Sequence, residues 1–223
     1  NYHNPHSPYY AKGELKAYYK QIKGLNGRDA VYAAMIHTMD QNIGRLMNAI
    51  TDTGLRKETL IIFTSDNGGV GSLSYLKPLR GHKGNLYEGG IRVPVIFSFP
   101  GKIVPGINEQ FPVSSIDYLP TILAFAGVSN VDESVRGVNL LPGLSGQQLF
   151  ENRKLFWHFP QLEMDRVVRE GDYKLIMNSE SGQKELYNLV EDPSETNNLI
   201  EQNPEKVKRL EQLMESFLIR SVP

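Results

Sequence analysis

The apolar positions of this chain change period along its length, and those changes divide it into elements. Between Arg28 and Thr53, Val31, Met35, Met39, Ile43, Leu46 and Ile50 recur every three or four residues. That spacing predicts one long amphipathic helix, with Gly54 as its C-terminal cap. Glu14 to Gln21 fits a shorter amphipathic helix, broken by Gly24 to Gly27. The period then changes: Thr59 to Thr64 and Val93 to Phe99 are short, β-branched apolar runs, too brief for helices, and are read as buried strands. A helix that feeds a buried strand is the rhythm of an α/β sandwich. Further on, Ser114 or Ser115 can cap a helix over Ile116 to Phe125, with Asp117 in its favoured first turn, Pro120 early enough to be tolerated and Gly127 at its end. Pro100 to Pro112 reads as an exposed loop. Asn130 to Gly146 has no period and is expected to be a linker over the surface.

After about Leu149 the pattern becomes one of short strands. Leu155 to Phe159, Arg166 to Glu170, Tyr173 to Asn178 and Lys184 to Leu189 are separated by turns at Gly171-Asp172 and Ser179 to Gly182, which predicts a small antiparallel meander. Asn203-Pro204-Glu205 opens a helix whose buried face is Val207, Leu210, Leu213, Met214, Phe217 and Leu218. The expected organisation is therefore an α/β portion over residues 1–148 and a C-terminal α+β subdomain over 149–223, a sheet covered by one helix.

Composition narrows the function. At 223 residues the chain is long enough for a sizeable core. A formal charge of −1 with no basic block argues against a nucleic-acid or membrane-surface partner. The absence of cysteine excludes disulfides and thiol chemistry within these residues. No apolar stretch approaches the ~20 residues of a membrane span. Asn1 to Tyr10 lacks the apolar core of a signal peptide, and the chain reads as the later part of a longer or processed polypeptide. The methionines at 35, 39 and 47 are expected to fill core, and His37, off the main stripe, to sit at the surface or pack locally.

Candidate chemistry concentrates at two loops. The strand run Ile61-Ile62-Phe63-Thr64 ends in Ser65-Asp66-Asn67-Gly68-Gly69, an abrupt carboxylate and amide at a sheet edge. Asp-Asn-Gly on its own would equally suit an Asx turn. The second loop, Leu79-Arg80-Gly81-His82-Lys83-Gly84, places one lysine among glycines where backbone can approach a small anion. Together they present hard oxygen ligands and a cation to one rim.

These two loops, with Tyr87-Glu88-Gly89-Gly90-Ile91-Arg92-Val93-Pro94, resemble the second half of the formylglycine-dependent sulfatases, the arylsulfatase branch of the alkaline-phosphatase-like superfamily. Tyr32 to Leu46, Asp117 to Gly127, Gly137 to Leu141 and Glu185 to Asn198 resemble stretches in the same order in that family, so the likeness covers nearly the whole chain. It implies the later part of an α/β/α sandwich plus the C-terminal subdomain. It assigns Asp66 and Asn67 to a calcium ion, which suits hard oxygen donors; Asn67 stands where zinc-dependent relatives commonly carry histidine. Lys83 resembles the lysine that binds a sulfate oxygen. His6, in His6-Ser7-Pro8, resembles a histidine that contacts sulfate and protonates the departing alcohol, with His3 the fallback. His82 and His158 are candidate substrate contacts, with packing or solvent exposure an equal alternative for each. Glu88 and Arg92 are read as supports of the loop.

Two features of the family lie outside these residues. There is no Cys/Ser-x-Pro-x-Arg motif from which formylglycine is made, and no counterpart of a first calcium-binding aspartate pair. The expected partner is therefore the upstream part of the same polypeptide, and this stretch alone is expected to be inactive. The implied function is sulfate ester hydrolysis, with a sulfated carbohydrate as the leading substrate class. The alternatives are a phosphatase or phosphodiesterase of the same superfamily, or a noncatalytic protein that binds sulfated glycans. The absence of an Asn-x-Ser/Thr acceptor leans towards export by a bacterium, to the periplasm or exterior, over a lysosome.

Overall fold

A computed structural model describes residues 2–106, 111–147 and 152–221 of the chain. Two units are formed, Asn1–Thr59 with Ser72–Ser74, and Leu60–Gly71 with Tyr75–Pro223. The boundary expected between 148 and 149 lies outside the described residues.

In the first unit, helix α1 (Gly13–Lys23) packs on helix α2 (Gly27–Asp52). The stripe that predicts α2 is used unevenly. Ala30, Ala34 and Met35 are buried, whereas Val31, Met39, Ile43 and Ile50 are half-buried and Leu46 is exposed. Burial thus centres on the N-terminal half, where two alanines leave room for a neighbour. His37 packs locally: the Tyr19 hydroxyl lies 3.2 Å from its Nδ1, and the rings of Tyr18 and Tyr19 meet it edge-on.

The second unit opens with strands β1 (Ile61–Thr64) and β2 (Val95–Ser98), paired antiparallel with Thr64 opposite Val95 and Ile61 opposite Ser98. This register brings the end of β1 beside the start of β2, so Ser65–Gly69 and the segment that precedes β2 share an edge. Both runs were expected to be buried. Instead Phe63 and Ile96 are exposed, because a two-stranded ribbon pairs with no third strand among the described residues. Between these strands lies the single turn α3 (Glu88–Ile91).

A 3-10 turn over Ser115–Asp117, capped by Ser114, leads into helix α4 (Tyr118–Phe125), so the α-helix begins two residues after the expected Ile116. Asp117, just before α4, is fully buried and accepts hydrogen bonds from the backbone N–H groups of Ser114 at 2.7 Å and Val138 at 3.0 Å, and pairs with the Arg153 guanidinium. The Thr121 hydroxyl accepts from the N–H of Leu140 at 2.9 Å, and Leu140 is buried ahead of the short helix α5 (Leu141–Leu144). The segment expected to run free over the surface is therefore anchored at 137–140. The side chains that satisfy its backbone are Asp117, just ahead of α4, and Thr121 within it, and periodicity does not register them.

Strands β3 (Lys154–His158), β4 (Arg166–Glu170), β5 (Tyr173–Met177) and β6 (Lys184–Asn188) form the predicted meander, all antiparallel in the order β3-β4-β5-β6. Helix α6 (Pro204–Ser221) begins on its proline and packs Val207, Leu210 and Met214 against Val168, Leu175 and Leu186. Full burial of each such side chain stabilises by roughly 1.5–3 kcal/mol. The opposite face is covered as well, by Leu86, Tyr87 and Ile91 against Val167, Ile176 and Tyr187. The sheet is thus buried on both faces, and its second face carries the segment that leads into α3.

Candidate active-site loops

The loop after β1 and the loop over Arg80–Gly90 are locked together by backbone. Gly68 N–H donates to the Gly90 carbonyl at 2.8 Å, Lys83 N–H to the Gly69 carbonyl at 2.9 Å, and Gly89 N–H to the Arg80 carbonyl at 2.7 Å. These bonds require glycine. A Cβ at Gly68 would lie 2.8 Å from the Gly89 carbonyl carbon, one at Gly89 2.6 Å from the Arg80 carbonyl oxygen, and one at Gly90 2.7 Å from that of His82. Ordinary carbon contacts need more than 3 Å, so another residue at 68 would force the two loops apart, and one at 89 or 90 would press on the Arg80–Asn85 turn of its own loop. Read from sequence, the glycines beside Lys83 admit an anion; in the fold Gly68 admits the neighbouring loop, and Gly89 and Gly90 admit the Arg80–Asn85 turn of their own.

The lock sets where the chemistry-bearing residues emerge. Lys83 is pinned through its own N–H to a residue two positions after Asn67. Among the described residues, its ammonium, the Asp66 carboxylate and the Asn67 amide have no hydrogen-bond or ion-pair partner. Asp66 is exposed, and Asn67 and Lys83 are half-buried. A carboxylate and an amide oxygen left unengaged at a strand end fit a hard cation, and a half-buried lysine fits an anion. Among the described residues no group of three or more His, Cys, Asp or Glu side chains converges. His82, also exposed, donates from Nδ1 to the Lys83 carbonyl at 2.8 Å, which leaves Nε2 as the nitrogen that can exchange a proton.

The remaining histidines sit elsewhere. His158, at the end of β3, has Nε2 3.8 Å from the Asp165 carboxylate, which is buried and also accepts from the N–H of Ser179 at 2.7 Å. His6 is in the first unit; its Nδ1 lies 2.8 Å from the Ser7 carbonyl and His3 Nε2 3.0 Å from the same oxygen. A carbonyl only accepts, so Nε2 of His6 is left as the nitrogen that can exchange a proton with substrate.

Beneath the loop, Arg80 is held by the meander. Its Nη1 donates to the Tyr187 hydroxyl at 2.8 Å and lies 3.3 Å from Glu185 Oε2, while its guanidinium stacks 3.9 Å over the Tyr87 ring. Both phenols donate to Glu185, at 2.9 Å from Tyr87 and 2.8 Å from Tyr187. Burial and the bond to Glu185 push Tyr87 up to about 12 and raise Tyr187 as well, so both remain donors across the working pH range. Glu88, read as a support, is buried, with Arg92 3.9 Å from it.

Comparison with known proteins identifies the chain. A family model described as Sulfatase matches residues 2–128, and one described as N-sulphoglucosamine sulphohydrolase, C-terminal, matches 82–220. The chain belongs to the sulfatase family. A sulfatase of Formosa agariphila is 37% identical over 91% of the chain, and an N-acetylglucosamine-6-O-sulfatase of Bacteroides thetaiotaomicron is 32% identical over 92%. The chain spans 41% and 38% of those two proteins. The crystal structure of Ps i-CgsB in complex with k-i-k-neocarrahexaose aligns with a TM-score of 0.84 at 29% identity, covering 96% of this chain and 48% of that one. The fold is thus the mixed α/β, alkaline-phosphatase-like fold of the sulfatases, with an antiparallel sheet and a long C-terminal helix. No described helix of this sulfatase chain is long and apolar enough to cross a membrane. Sequence reasoning missed the residues that hold the sulfatase loops from below, Arg80, Tyr187, Glu185 and Lys174. The only signal was a lysine as the second residue of the otherwise apolar strand Tyr173–Met177.

Proposed function

We propose that the complete protein is a sulfuric ester hydrolase that releases inorganic sulfate, with a sulfated carbohydrate as its substrate. One observation carries this reading: in a sulfatase-family chain, the Lys83 N–H bond to Gly69 at 2.9 Å ties an ammonium to the loop with the Asp66 carboxylate and Asn67 amide, all three without a partner among the described residues. Sulfate transfer spreads negative charge over non-bridging oxygens. A cation fixed by backbone binds that charge without reorganisation and stabilises the transition state more than the ground state. Asp66 and Asn67 would hold calcium, which when bound would offset charge on the sulfate oxygens, and a formylglycine from outside these residues would supply the nucleophile. His6, with Nδ1 committed to the Ser7 carbonyl, is the proposed proton donor to the departing alcohol through Nε2. His82 and His158 are proposed to contact the substrate. The carbohydrate class rests on the N-acetylglucosamine-6-O-sulfatase relative and the neocarrahexaose complex, and export on the lack of an Asn-x-Ser/Thr acceptor.

The test compares sulfate and phosphate monoesters on the complete protein, with and without a chelator. Higher kcat/KM on the sulfate ester, reduced by chelation and restored by calcium, is expected. Preference for the phosphate ester with restoration by zinc would overturn the reading in favour of a phosphatase. Sulfated-glycan binding with no turnover would overturn it in favour of a binding protein.

A further inference from the structure

Three charged side chains lie buried under the loop that carries Lys83, and none belongs to the chemistry above. Lys174, the second residue of β5, is fully enclosed, with its ammonium 2.9 Å from Glu88 Oε1 and 2.8 Å from Glu195 Oε1. Burying ions costs several kcal/mol each even when paired, and an apolar cluster of the same volume is often as stable. Stability is therefore a weak account of why they are there.

Their geometry supplies a stronger one. Glu195 holds both ends of the Arg80–Glu88 segment: its carbonyl accepts from Arg80 Nη1 at 3.0 Å, and its Oε2 accepts from the Glu88 N–H at 2.7 Å. Lys174 then bridges the Glu195 and Glu88 carboxylates, closing the segment into a ring. Glu195 reaches this position with φ at +53, a region that side-chain-bearing residues seldom adopt. Asp192 fixes that turn, its carboxylate accepting from the N–H groups of Thr196 and Asn197 at 2.8 Å each. A costly backbone conformation is maintained where it aims one residue at both ends of the loop.

We infer that Glu195 and Lys174 are positioning residues for the sulfate-binding lysine: by clamping Arg80 and Glu88 they set where Lys83 presents its ammonium. The role assigned to Lys83 rests on the sulfatase reading; the clamp does not.

The test uses the complete protein with Lys174→Met/Glu195→Leu, which removes one charge of each sign and leaves Glu88 its ion pair with Arg92 at 3.9 Å, and with Glu195→Gln, which keeps an acceptor for the Glu88 N–H. Amide hydrogen exchange is measured across the chain, and inhibition by inorganic sulfate alongside it. In the double variant, exchange at Gly68, Lys83 and Gly89 is expected to quicken at least tenfold while β4, β5 and α6 stay protected, and sulfate is expected to inhibit at least tenfold more weakly. Glu195→Gln is expected to restore most of the protection. Unchanged exchange at those three amides would overturn the inference. So would an equal rise over the sheet and α6, or a full loss of structure, since either means a general structural role. If the unsubstituted protein neither hydrolyses a sulfate ester nor responds to sulfate, the sulfatase reading fails, and the exchange pattern still decides the clamp.

Discussion

The two faces of the β3–β6 sheet are held by different forces. On one, α6 lays Leu210 and Met214 over Leu175 and Leu186, an apolar layer of nearly water-free side chains. On the other, the loop that carries Lys83 is fastened through glycine backbone, the Arg80–Tyr187–Glu185 cluster and the Lys174 clamp, with a smaller apolar contact from Leu86 and Ile91. Apolar packing is strong and undirected; it stabilises a surface without fixing where a charge points. Hydrogen bonds and close backbone contacts add less net stability but fix position. A loop that must leave an ammonium, a carboxylate and an amide unpaired can only be anchored from behind, and by directional contacts.

Substitutions should separate the two faces. The largest loss of stability is expected from Leu175→Ala on the apolar face, about 2–5 kcal/mol for a core leucine, read as a lower urea midpoint with kcat unchanged in the folded fraction. Next, Gly90→Ala would push a methyl group to 2.7 Å from the His82 carbonyl oxygen. Overpacking of this kind costs about 1–3 kcal/mol, and displacement of the loop by even an ångström is expected to lower kcat/KM by about 100-fold. If Gly90→Ala lowers stability and leaves kcat/KM intact, the glycine lock does not serve the site. The smallest effect is on the acid limb. Arg209 on α6 grips Glu170 on β4 through two bonds of 2.8 and 2.9 Å and holds its carboxyl below the usual carboxylate range. A depressed carboxylate contributes stability above its unfolded pKa, and that contribution is lost as pH falls through the folded value. Arg209→Gln should therefore lower the urea midpoint slightly at pH 7 and not at pH 2, and leave catalysis alone at both.

What the sequence shows of this molecule follows the range of the forces involved. The stripe of α2, the proline start of α6 and the four short strands are set by neighbours within a few residues, and all appear. Asp66, Asn67 and Lys83 are legible as candidates because each sits in a glycine-marked loop with no apolar role. Lys174 and Glu195 are not. Lys174 lies 86 positions from Glu88, and alternation along β5 would send a lysine between Tyr173 and Leu175 to solvent. It is buried because the second face of the sheet is covered, a fact held by Leu86 and Tyr87 far upstream. Asp117 was readable as a first-turn carboxylate, but its bonds to Val138 and Arg153 were not. The exposure of Phe63 and Ile96 escaped for a related reason: a run of β-branched residues predicts a strand and says nothing of how many strands flank it.

The central claim is that Lys83, fixed at the Asp66-Asn67 edge, binds sulfate. Calorimetric titration of the complete protein with inorganic sulfate, beside its Lys83→Ala variant, tests it most directly. The account predicts at least tenfold weaker binding in the variant with an unchanged Tm, since the lysine side chain pairs with no other described residue. Equal affinity in the two proteins would contradict it.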